Sequence, residues 1–413
     1  MANSEESRPQ KKRKVEVSPP FSLLSSLPDE VALNCVALTS RWDHEALSLT
    51  SKRYRSLLTS HDLYKIRSLM GRTETCVYVC LRIRPVDRWY ILRRRKNLDA
   101  DLIPIPSLPS RSRVASSVVV LDSEIYVIGG SKGGIPTCEV WVLDCRTHTW
   151  RIVPSMGMAR ANASAGVIDG KIYVLGGFIS DDYSNWVEVF DPKTQTWDSL
   201  PLQKELPGRR YIHDSVVWDQ KLYAVDGKEE TFYYSPCQGK WGRGNRGHLV
   251  GNRRDWCMID NLLFCISKKG SIHWYDPKDL NCPEGCEPEG MYSKEVLGLD
   301  SLKRSLSTSR LVHFDDLSVA LWQKEKLRYS FPSWAPTRLI DLLPGARLTN
   351  CGPNIVLFWD VLKGNRREIW CAELSFKRLA GEIWGNIEWS NALMNVDPLV
   401  DGYELLYSAS VTL

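Results

Sequence analysis

The sequence lacks several features that would point to a membrane protein or to an enzyme. No run approaches the roughly 18 apolar residues of a membrane span, and no apolar signal-peptide core precedes residue 30. The seven histidines stand apart, and no Gly-x-Ser-x-Gly elbow, phosphate loop or dinucleotide fingerprint occurs. We therefore expect no membrane partner, no cofactor and no catalytic residues.

The cysteine pattern and the net charge argue against a metal-binding protein and against a nucleic-acid-binding protein. The 12 cysteines are scattered, and the one pair within a loop, Cys282 and Cys286, has neither a second pair nor a close histidine. This pattern predicts free thiols in a reduced compartment and no metal site. The net charge of +5 comes partly from a basic cluster near the N-terminus, so no nucleic-acid surface is indicated.

An internal repeat is the strongest positive signal. The segment Asp122–Trp150 returns 47 residues later as Asp169–Trp197. Each copy has a β-branched and aromatic run ending in Gly-Gly, and a Trp 20 residues after the second Gly. A strand-rich repeat with a period in the 40s is typical of a propeller. We expect Trp150 and Trp197 to be buried between blades at equivalent positions.

Further units are weaker. Matches begin at Asp219, at Leu262 and at Ile355, whereas the stretch 304–346 could be another blade or an insertion. The repeat therefore predicts six or seven blades. Two early strand-like runs lack a first strand, which the C-terminal segment 403–411 could supply. Strands from both ends would then close the ring and leave no open edge.

Three arginines recur in step with the repeat. Arg113, Arg160 and Arg210 each lie nine residues before the repeat aspartate. Rotation would place them as a partial ring on one face, where forked cations suit a carboxylate or phosphate of a bound target. The alternative is that each arginine braces the neighbouring blade.

The N-terminal quarter does not contain the repeat and has a different predicted structure. Residues 1–20 are polar, charged and without apolar periodicity, which predicts a disordered tail. Residues 21–68 predict a small helical domain, because Pro28 and two carboxylates suit a first helical turn and two apolar stripes follow. Some 45 residues bury little core alone, so this domain should lean on a partner.

These features resemble a known family. The Gly-Gly pair, the Tyr four residues before the second Gly and the spaced Trp resemble kelch repeats over about 70–413. Leu27–Val31 and Ser51–Leu57 resemble an F-box, although Ser51 and Tyr54 replace the usual Cys and Trp. Together they resemble the plant F-box/kelch-repeat family.

The resemblance implies an α+β multidomain chain, with an all-α F-box domain at 21–68 and an all-β kelch-type propeller at 69–413. It implies a non-enzymatic substrate-recognition subunit of an SCF-type E3 ubiquitin ligase. The F-box would bind a Skp-type adaptor, and through it cullin and RING subunits, while the propeller binds the target protein. The adaptor-binding residues would be Leu27, Pro28, Asp29, Val31, Leu49, Tyr54 and Leu57.

Two alternatives remain open. One is a propeller scaffold or interaction protein without ligase coupling, and the other, less favoured, is a propeller enzyme. The identity of the target cannot be predicted, because specificity in such folds lies in the blade loops, and no general rule relates a loop sequence to the partner it binds.

The basic cluster in the tail generates a prediction about location. Lys11, Lys12, Arg13 and Lys14 resemble a single-cluster nuclear import signal, so we expect the protein in both nucleus and cytoplasm. Changing all four to Ala should shift a fluorescently tagged chain toward the cytoplasm. Changing the tail acids Glu5 and Glu6 to Ala is the matched control. An unchanged distribution would mean that the cluster is only a solvated charge run.

Overall fold

The structure is a computed structural model with two compact units, Met1–Arg72 and Thr73–Leu413. It describes residues 27–83, 86–94, 99–110, 113, 115–177, 186–200, 212–226, 230–247, 256–267, 269–309, 346–363, 366–396 and 403–413. The predicted tail therefore lies outside the described residues. Among the described helices, none is long and apolar enough to cross a membrane.

The first unit is helical. Its helices are α1 (Asp29–Ala37), α2 (Arg41–Thr50), α3 (Lys52–Thr59) and α4 (His61–Leu69). Ser40, Ser51 and Ser60 begin the last three helices, and each hydroxyl accepts a hydrogen bond from the backbone N–H two or three residues on. Each cap satisfies a donor that would otherwise be unpaired at a helix start. Three serines thus divide the segment into short helices.

The second unit contains six four-stranded antiparallel sheets. We call these sheets blades A to F and give their strands from the inner to the outer one. Blade A has β28 (Tyr403–Thr412), β1 (Thr75–Ile83), β2 (Val86–Arg94) and β3 (Ala100–Pro104), and blade B has β4 (Ser117–Leu121), β5 (Glu124–Ile128), β8 (Val140–Asp144) and β9 (Thr149–Val153).

Blade C has β10 (Ser164–Ile168), β11 (Lys171–Leu175), β12 (Val187–Asp191) and β13 (Thr196–Leu200), and blade D has β14 (Ile212–Trp218), β15 (Lys221–Asp226), β16 (Thr231–Ser235) and β17 (Lys240–Arg243). Blade E has β19 (Cys257–Ile259), β20 (Leu262–Ile266), β21 (Ile272–Tyr275) and β23 (Lys294–Glu295), and blade F has β24 (Ala346–Cys351), β25 (Asn354–Lys363), β26 (Arg366–Leu379) and β27 (Glu382–Val396).

Smaller elements complete the unit. These are the pair β6 (Ser131–Lys132) and β7 (Ile135–Pro136), the parallel pair β18 (Arg246–Gly247) and β22 (Gly290–Met291), a short 3-10 helix (Pro277–Leu280) and helix α5 (Asp300–Thr308). The six blades confirm the predicted propeller. In the ambiguous stretch 304–346, residues 304–308 belong to α5, and 310–345 lie outside the described residues.

The chain ends meet in blade A. Strand β28 pairs with β1 from Thr75↔Thr412 to Ile83↔Tyr403. Glu74 and Leu413 extend the ladder with two backbone hydrogen bonds of 2.7 and 2.9 Å. The innermost strand of the first blade therefore comes from the C-terminus, and the edge of β1 is covered.

A two-residue turn sets the first hairpin of blades B to E. Asp122, Asp169, Asp219 and Asp260 open these turns with φ of 54°, 49°, 49° and 46°. Aspartate tolerates this left-handed conformation better than most residues do. The repeat aspartate noted in the sequence is thus a turn residue.

Arg113 and Arg160 lie just before the inner strands of blades B and C and are only 2% and 0% exposed. Arg113 pairs with Glu139 and donates to the carbonyls of Gly129 and Glu139. Each arginine therefore joins the end of the second strand to the start of the third strand in its blade.

Blade C repeats this arrangement around Arg160. The guanidinium lies 2.8 Å from a Glu188 oxygen and donates to the carbonyls of Gly176 and Trp186 at 2.6 and 3.2 Å. Burial lowers the pKa of Arg160, and Glu188 opposes that effect. The structure therefore corrects the expectation of an arginine docking face at Arg113 and Arg160, because a buried, paired guanidinium offers nothing to a partner. Both arginines brace strands, but within their own blade rather than in the neighbouring one.

The acid and the indole exchange places between the two blades. Blade B has Glu139 and Trp141, whereas the equivalent positions of blade C are Trp186 and Glu188. Positions two apart on a strand share a face, so either carboxylate reaches its arginine. Glu139 stays partly exposed, and hydrogen bonding to Lys132 is the main effect that lowers its pKa to about 2.

The repeat tryptophans tie each blade to the one before it. The indole N–H of Trp150 donates to the Pro106 carbonyl at 2.8 Å, and that of Trp197 donates to the Pro154 carbonyl at 2.7 Å. The positions are equivalent, as expected, but both side chains are half-buried rather than buried. They lie on the outer strands β9 and β13.

Closure of blade A generates a stability prediction. Deleting 403–413 should abolish the cooperative unfolding transition, because the buried Leu405, Ala409 and Val411 are lost and β1 is left with an open edge. Each buried apolar side chain contributes on the order of 1–3 kcal/mol, against a total of about 5–15 kcal/mol for a domain. The measurement is melting by circular dichroism. Adding a peptide of residues 403–413 should restore the transition, whereas the same peptide with Ala409→Pro should not.

The buried ion pair of blade C generates a second prediction. Arg160→Met leaves the Glu188 carboxylate buried and unpaired, so the free energy of unfolding should fall by about 3–5 kcal/mol. Arg160→Met with Glu188→Gln should recover part of that loss, because a neutral amide oxygen can still accept from the Gly157 and Met158 N–H groups that donate to Glu188. The control is Arg151→Met, which breaks the more exposed pair with Glu124 and should cost at most about 1 kcal/mol. Urea titrations of the four proteins measure this, and a single variant as stable as the parent would contradict the bracing role.

Candidate functional site

The helical unit exposes apolar side chains that its own core does not use. Its core is small and consists of Leu33, Val36, Ala37, Tyr54, Leu58 and Leu63, with partly buried neighbours. Val31 and Leu49 are 43% and 75% exposed. A small core together with large exposed aliphatic side chains is typical of a unit that binds a partner through its surface.

Polar contacts bring together the segments that carry this surface. Arg53, near the start of α3, lies 2.6 Å from a carboxylate oxygen of Asp29 at the start of α1. The same guanidinium donates to the carbonyl of Leu27. Leu49 is the second-last residue of α2 and lies three residues before α3 begins at Lys52. The start of α1, the end of α2 and the start of α3 therefore converge.

The seven residues predicted to bind the adaptor divide into three groups. Pro28, Asp29, Val31 and Leu49 are exposed, and Leu27 and Leu57 are half-buried. Tyr54 is only 7% exposed and packs in the helical core with Leu58, one turn further along α3. Tyr54 is therefore placed to support the surface from below rather than to contact a partner.

Sequence reasoning missed three exposed apolar residues of the same unit. Leu38, Leu69 and Met70 are 59%, 87% and 42% exposed and lie where α1 and α4 end. Buried Arg67 joins these two ends by donating to the carbonyls of Ala37 and Thr39 at 3.2 and 2.5 Å. The helix ends were the signal that could have revealed these residues, because an apolar residue at a helix end is not covered by the neighbours that bury the apolar stripe of the helix.

The propeller has one end suited to binding. In an antiparallel four-stranded blade, the connections between the second and third strands and those between blades leave from the same end, here called the connection face. In blade B this face carries the β6–β7 hairpin, where Ile135 is 70% exposed. Lys132 of this hairpin pairs with Glu139 at 2.7 Å, so the hairpin is anchored to the Arg113–Glu139 ion pair of its blade.

Loops on a rigid scaffold carry most recognition, which makes the connection face the candidate binding surface of the propeller. Val86, at the start of β2, is also exposed on this face, at 40%. No sequence signal marked Val86 or Ile135, since an exposed apolar residue at a strand end or in a two-residue strand has no periodicity. The third predicted arginine, Arg210, and the basic cluster at residues 11–14 lie outside the described residues.

Cysteine chemistry adds no site. All 12 cysteines are free thiols, and the described residues contain no cluster of three or more side chains able to hold a metal ion. The Cys282 thiol lies 3.5 Å from the Cys286 carbonyl oxygen. Burial is the first cause that raises the pKa of Cys282, which lowers its thiolate fraction and its reactivity.

Comparison with known proteins matches both units to families. Residues 24–66 match the F-box domain family, and residues 89–330 match the family described as "FKB95, Kelch-repeats domain". A solved structure titled "Structure of YjhT" aligns with 72% of this chain and 91% of that chain, with a TM-score of 0.42 and 12% identity. That likeness is too low to add to the fold assignment.

Proteins of Arabidopsis thaliana align over nearly the whole chain. A putative F-box/kelch-repeat protein is 35% identical over 97% of this chain and 96% of its own length. A second is 33% identical over 93% and 94% of the two chains. An F-box/kelch-repeat protein is 35% identical over 94% of each chain. An F-box implies binding to a Skp-type adaptor, and a kelch domain implies binding to a protein. With its short capped helices and its six-bladed propeller, the chain belongs to the F-box/kelch-repeat protein family.

Proposed function

We propose that the chain is the substrate-recognition subunit of an SCF-type E3 ubiquitin ligase. In this role the helical unit binds a Skp-type adaptor, which links it to cullin and RING subunits, and the propeller binds the protein to be ubiquitinated. The observation that carries the proposal is the exposed apolar surface around Val31 and Leu49, held on a helical unit too small to bury it. The chain contributes binding and no catalytic group of its own.

The helical surface suits a protein partner for a physical reason. Exposed aliphatics at converging helix ends gain on the order of 25 cal/mol per Å² of apolar surface removed from water. The Asp29–Arg53 pair fixes the start of α1 before binding, so less conformational entropy is lost on association. The surface is therefore preorganised, and its aliphatic centre should dominate the affinity.

The propeller supplies the second half of the role. Its connection face offers Ile135 and Val86 exposed on a scaffold whose strands are held together by the ion pairs of the buried Arg113 and Arg160. A target bound there is held by rigid loops, and its lysines can then be presented to the ubiquitin-transferring subunits. We propose nuclear and cytoplasmic pools of the complex, on the ground of the basic cluster at residues 11–14.

Adaptor binding is tested by charge insertion at the exposed aliphatics. Val31→Glu with Leu49→Glu should reduce adaptor affinity at least about thirtyfold, the scale of a lost interface centre. The helical fold should survive, because both side chains are exposed. The matched control is Ile152→Glu, which changes an aliphatic side chain of the propeller that is 55% exposed. Calorimetric titration with purified adaptor measures both variants.

The same double variant tests the ligase role. Proteins captured by the propeller should bind the parent and the variant equally, yet become ubiquitinated only with the parent when adaptor, cullin, RING and ubiquitin-charged enzyme are present. Equal adaptor affinity in parent and double variant would overturn the assignment of the surface. Captured proteins that are never ubiquitinated with the parent would favour a scaffold without ligase coupling.

A further inference from the structure

Helix α1 carries apolar side chains on two opposite faces. Leu33 and Val36 pack in the helical core, whereas Val31, Cys35 and Leu38 are exposed. Leu38 follows directly after α1 and keeps helical angles, with φ of −80° and ψ of −15°. Spacings of four and seven residues place the three exposed side chains within about 60° of arc on one side of a helix. They form a stripe on the side away from the core, which we call the outer stripe of α1.

The outer stripe lacks the polar residues that solvent favours. Beyond its first turn, α1 contains a single polar residue, Asn34. A surface helix normally has charged and polar side chains on the side opposite its core, and a helix that is apolar all round is buried. The composition of α1 is therefore that of a helix covered on both sides when the protein is bound to a partner.

The outer stripe leads from Val31 to the end of α4. Buried Arg67 donates to two carbonyls at and just beyond the end of α1, so the ends of the two helices are held side by side. Met70 comes seven residues after Leu63, which packs in the helical core, and so continues the side of α4 that faces α1. Met70 is nevertheless 42% exposed, and its neighbour Leu69 is 87% exposed. The exposed apolar surface therefore extends beyond α1 onto the end of α4.

One partner is large enough to cover all of this surface. Val31 and Leu38 are seven residues apart, which is about 10 Å along a helix axis. A specific interface covers about 800 Å² on each partner, and a patch of that area is considerably wider than 10 Å. An adaptor seated on Val31 and Leu49 is therefore wide enough to reach the end of α1 as well.

The charges at both ends of the outer stripe are satisfied within the chain. At the start of α1, Asp29 pairs with Arg53. At its end, the Arg67 guanidinium is buried against the carbonyls of Ala37 and Thr39. A partner therefore gains little from charge and most from removing apolar surface from water. An apolar, uncharged surface of the adaptor has the chemistry that fits the stripe.

We propose that the Skp-type adaptor covers the whole outer stripe of α1 and continues onto the end of α4. The contact then includes Cys35 and Leu38, and also Leu69 and Met70, which lie outside the F-box match at 24–66. This inference rests on the proposed function, because the adaptor is the partner assigned there. It adds to the contact around Val31 a second half that the F-box motif does not mark.

The thiol in the middle of the stripe gives a direct readout. Iodoacetamide should alkylate Cys35 in the free full chain, and an excess of purified adaptor should slow that reaction at least about tenfold, because a covered thiol is out of reach of the reagent. Cys237 and Cys286 are exposed in the propeller and serve as internal controls, whose alkylation should not change. Mass spectrometry of the digested chain measures each site separately.

Charge insertion tests the two ends of the extension. Leu38→Glu and Leu69→Glu should each weaken adaptor binding at least about tenfold in calorimetric titration, since each places a charge in an apolar contact. The matched control is Leu379→Glu, because this propeller leucine is 56% exposed, close to the 59% of Leu38. It should leave adaptor affinity unchanged. Circular dichroism melting of every variant shows whether it is folded.

The outcomes separate this inference from the proposed function. An adaptor that binds the parent while Cys35 stays as reactive as in the free chain would overturn the inference and leave the function standing. Unchanged adaptor affinity in Leu69→Glu would do the same, and an earlier melting transition would then show that the side chain serves the stability of the chain instead. An adaptor that does not bind the parent at all would overturn both.

Discussion

The pairing of β28 with β1 is the interaction on which the propeller depends. Every other blade takes its four strands from one continuous stretch of chain, but blade A needs strands separated by more than 300 residues. The inner strand β28 also contacts both neighbours. Its Tyr407 hydroxyl accepts from the Ser116 N–H at 2.9 Å on the blade B side, and Ser408 bonds Thr349 of blade F. Without β28, three blades lose partners at once.

Much of this fold follows from sequence, for identifiable reasons. The two strong repeats predicted blades B and C because a shared turn, glycine pair and tryptophan keep register over a fixed period. Blade E lacks the glycines and Trp of the repeat, so its match was weak, although its four strands form. The extension of β26 and β27 beyond the other two strands of blade F had no sequence signal, because extra strand residues look like ordinary strand continuation. Burial of Trp150 was overestimated, because an outer strand has a neighbour on one side only.

The candidate sites show the limit of reasoning from spacing. Equal spacing placed Arg113 and Arg160 at equivalent positions, and they are equivalent. Spacing alone could not say whether the guanidiniums point outward or inward, since that depends on Glu139 and Glu188, which lie in different registers of their blades. In the helical unit, the stripe pattern identified the exposed Val31 and Leu49 together with the buried Tyr54. A sequence motif therefore contains both the exposed residues of a binding surface and the buried residues that support it, and it does not distinguish the two.

The four aspartate turns have a consequence for how the sequence can vary. Because each turn fixes the register of its own hairpin locally, a blade does not rely on its glycine pair or its tryptophan to align its strands. The glycine pair and the tryptophan can be lost one at a time. Each loss weakens packing, but it does not shift the strand register by one residue, which would move every side chain of the strand to the opposite face. Blade E illustrates this, since it keeps Asp260 with φ of 46° while the other marks are gone. Substitutions can therefore accumulate in loops and outer strands, and new binding specificities can arise, while the architecture is inherited unchanged.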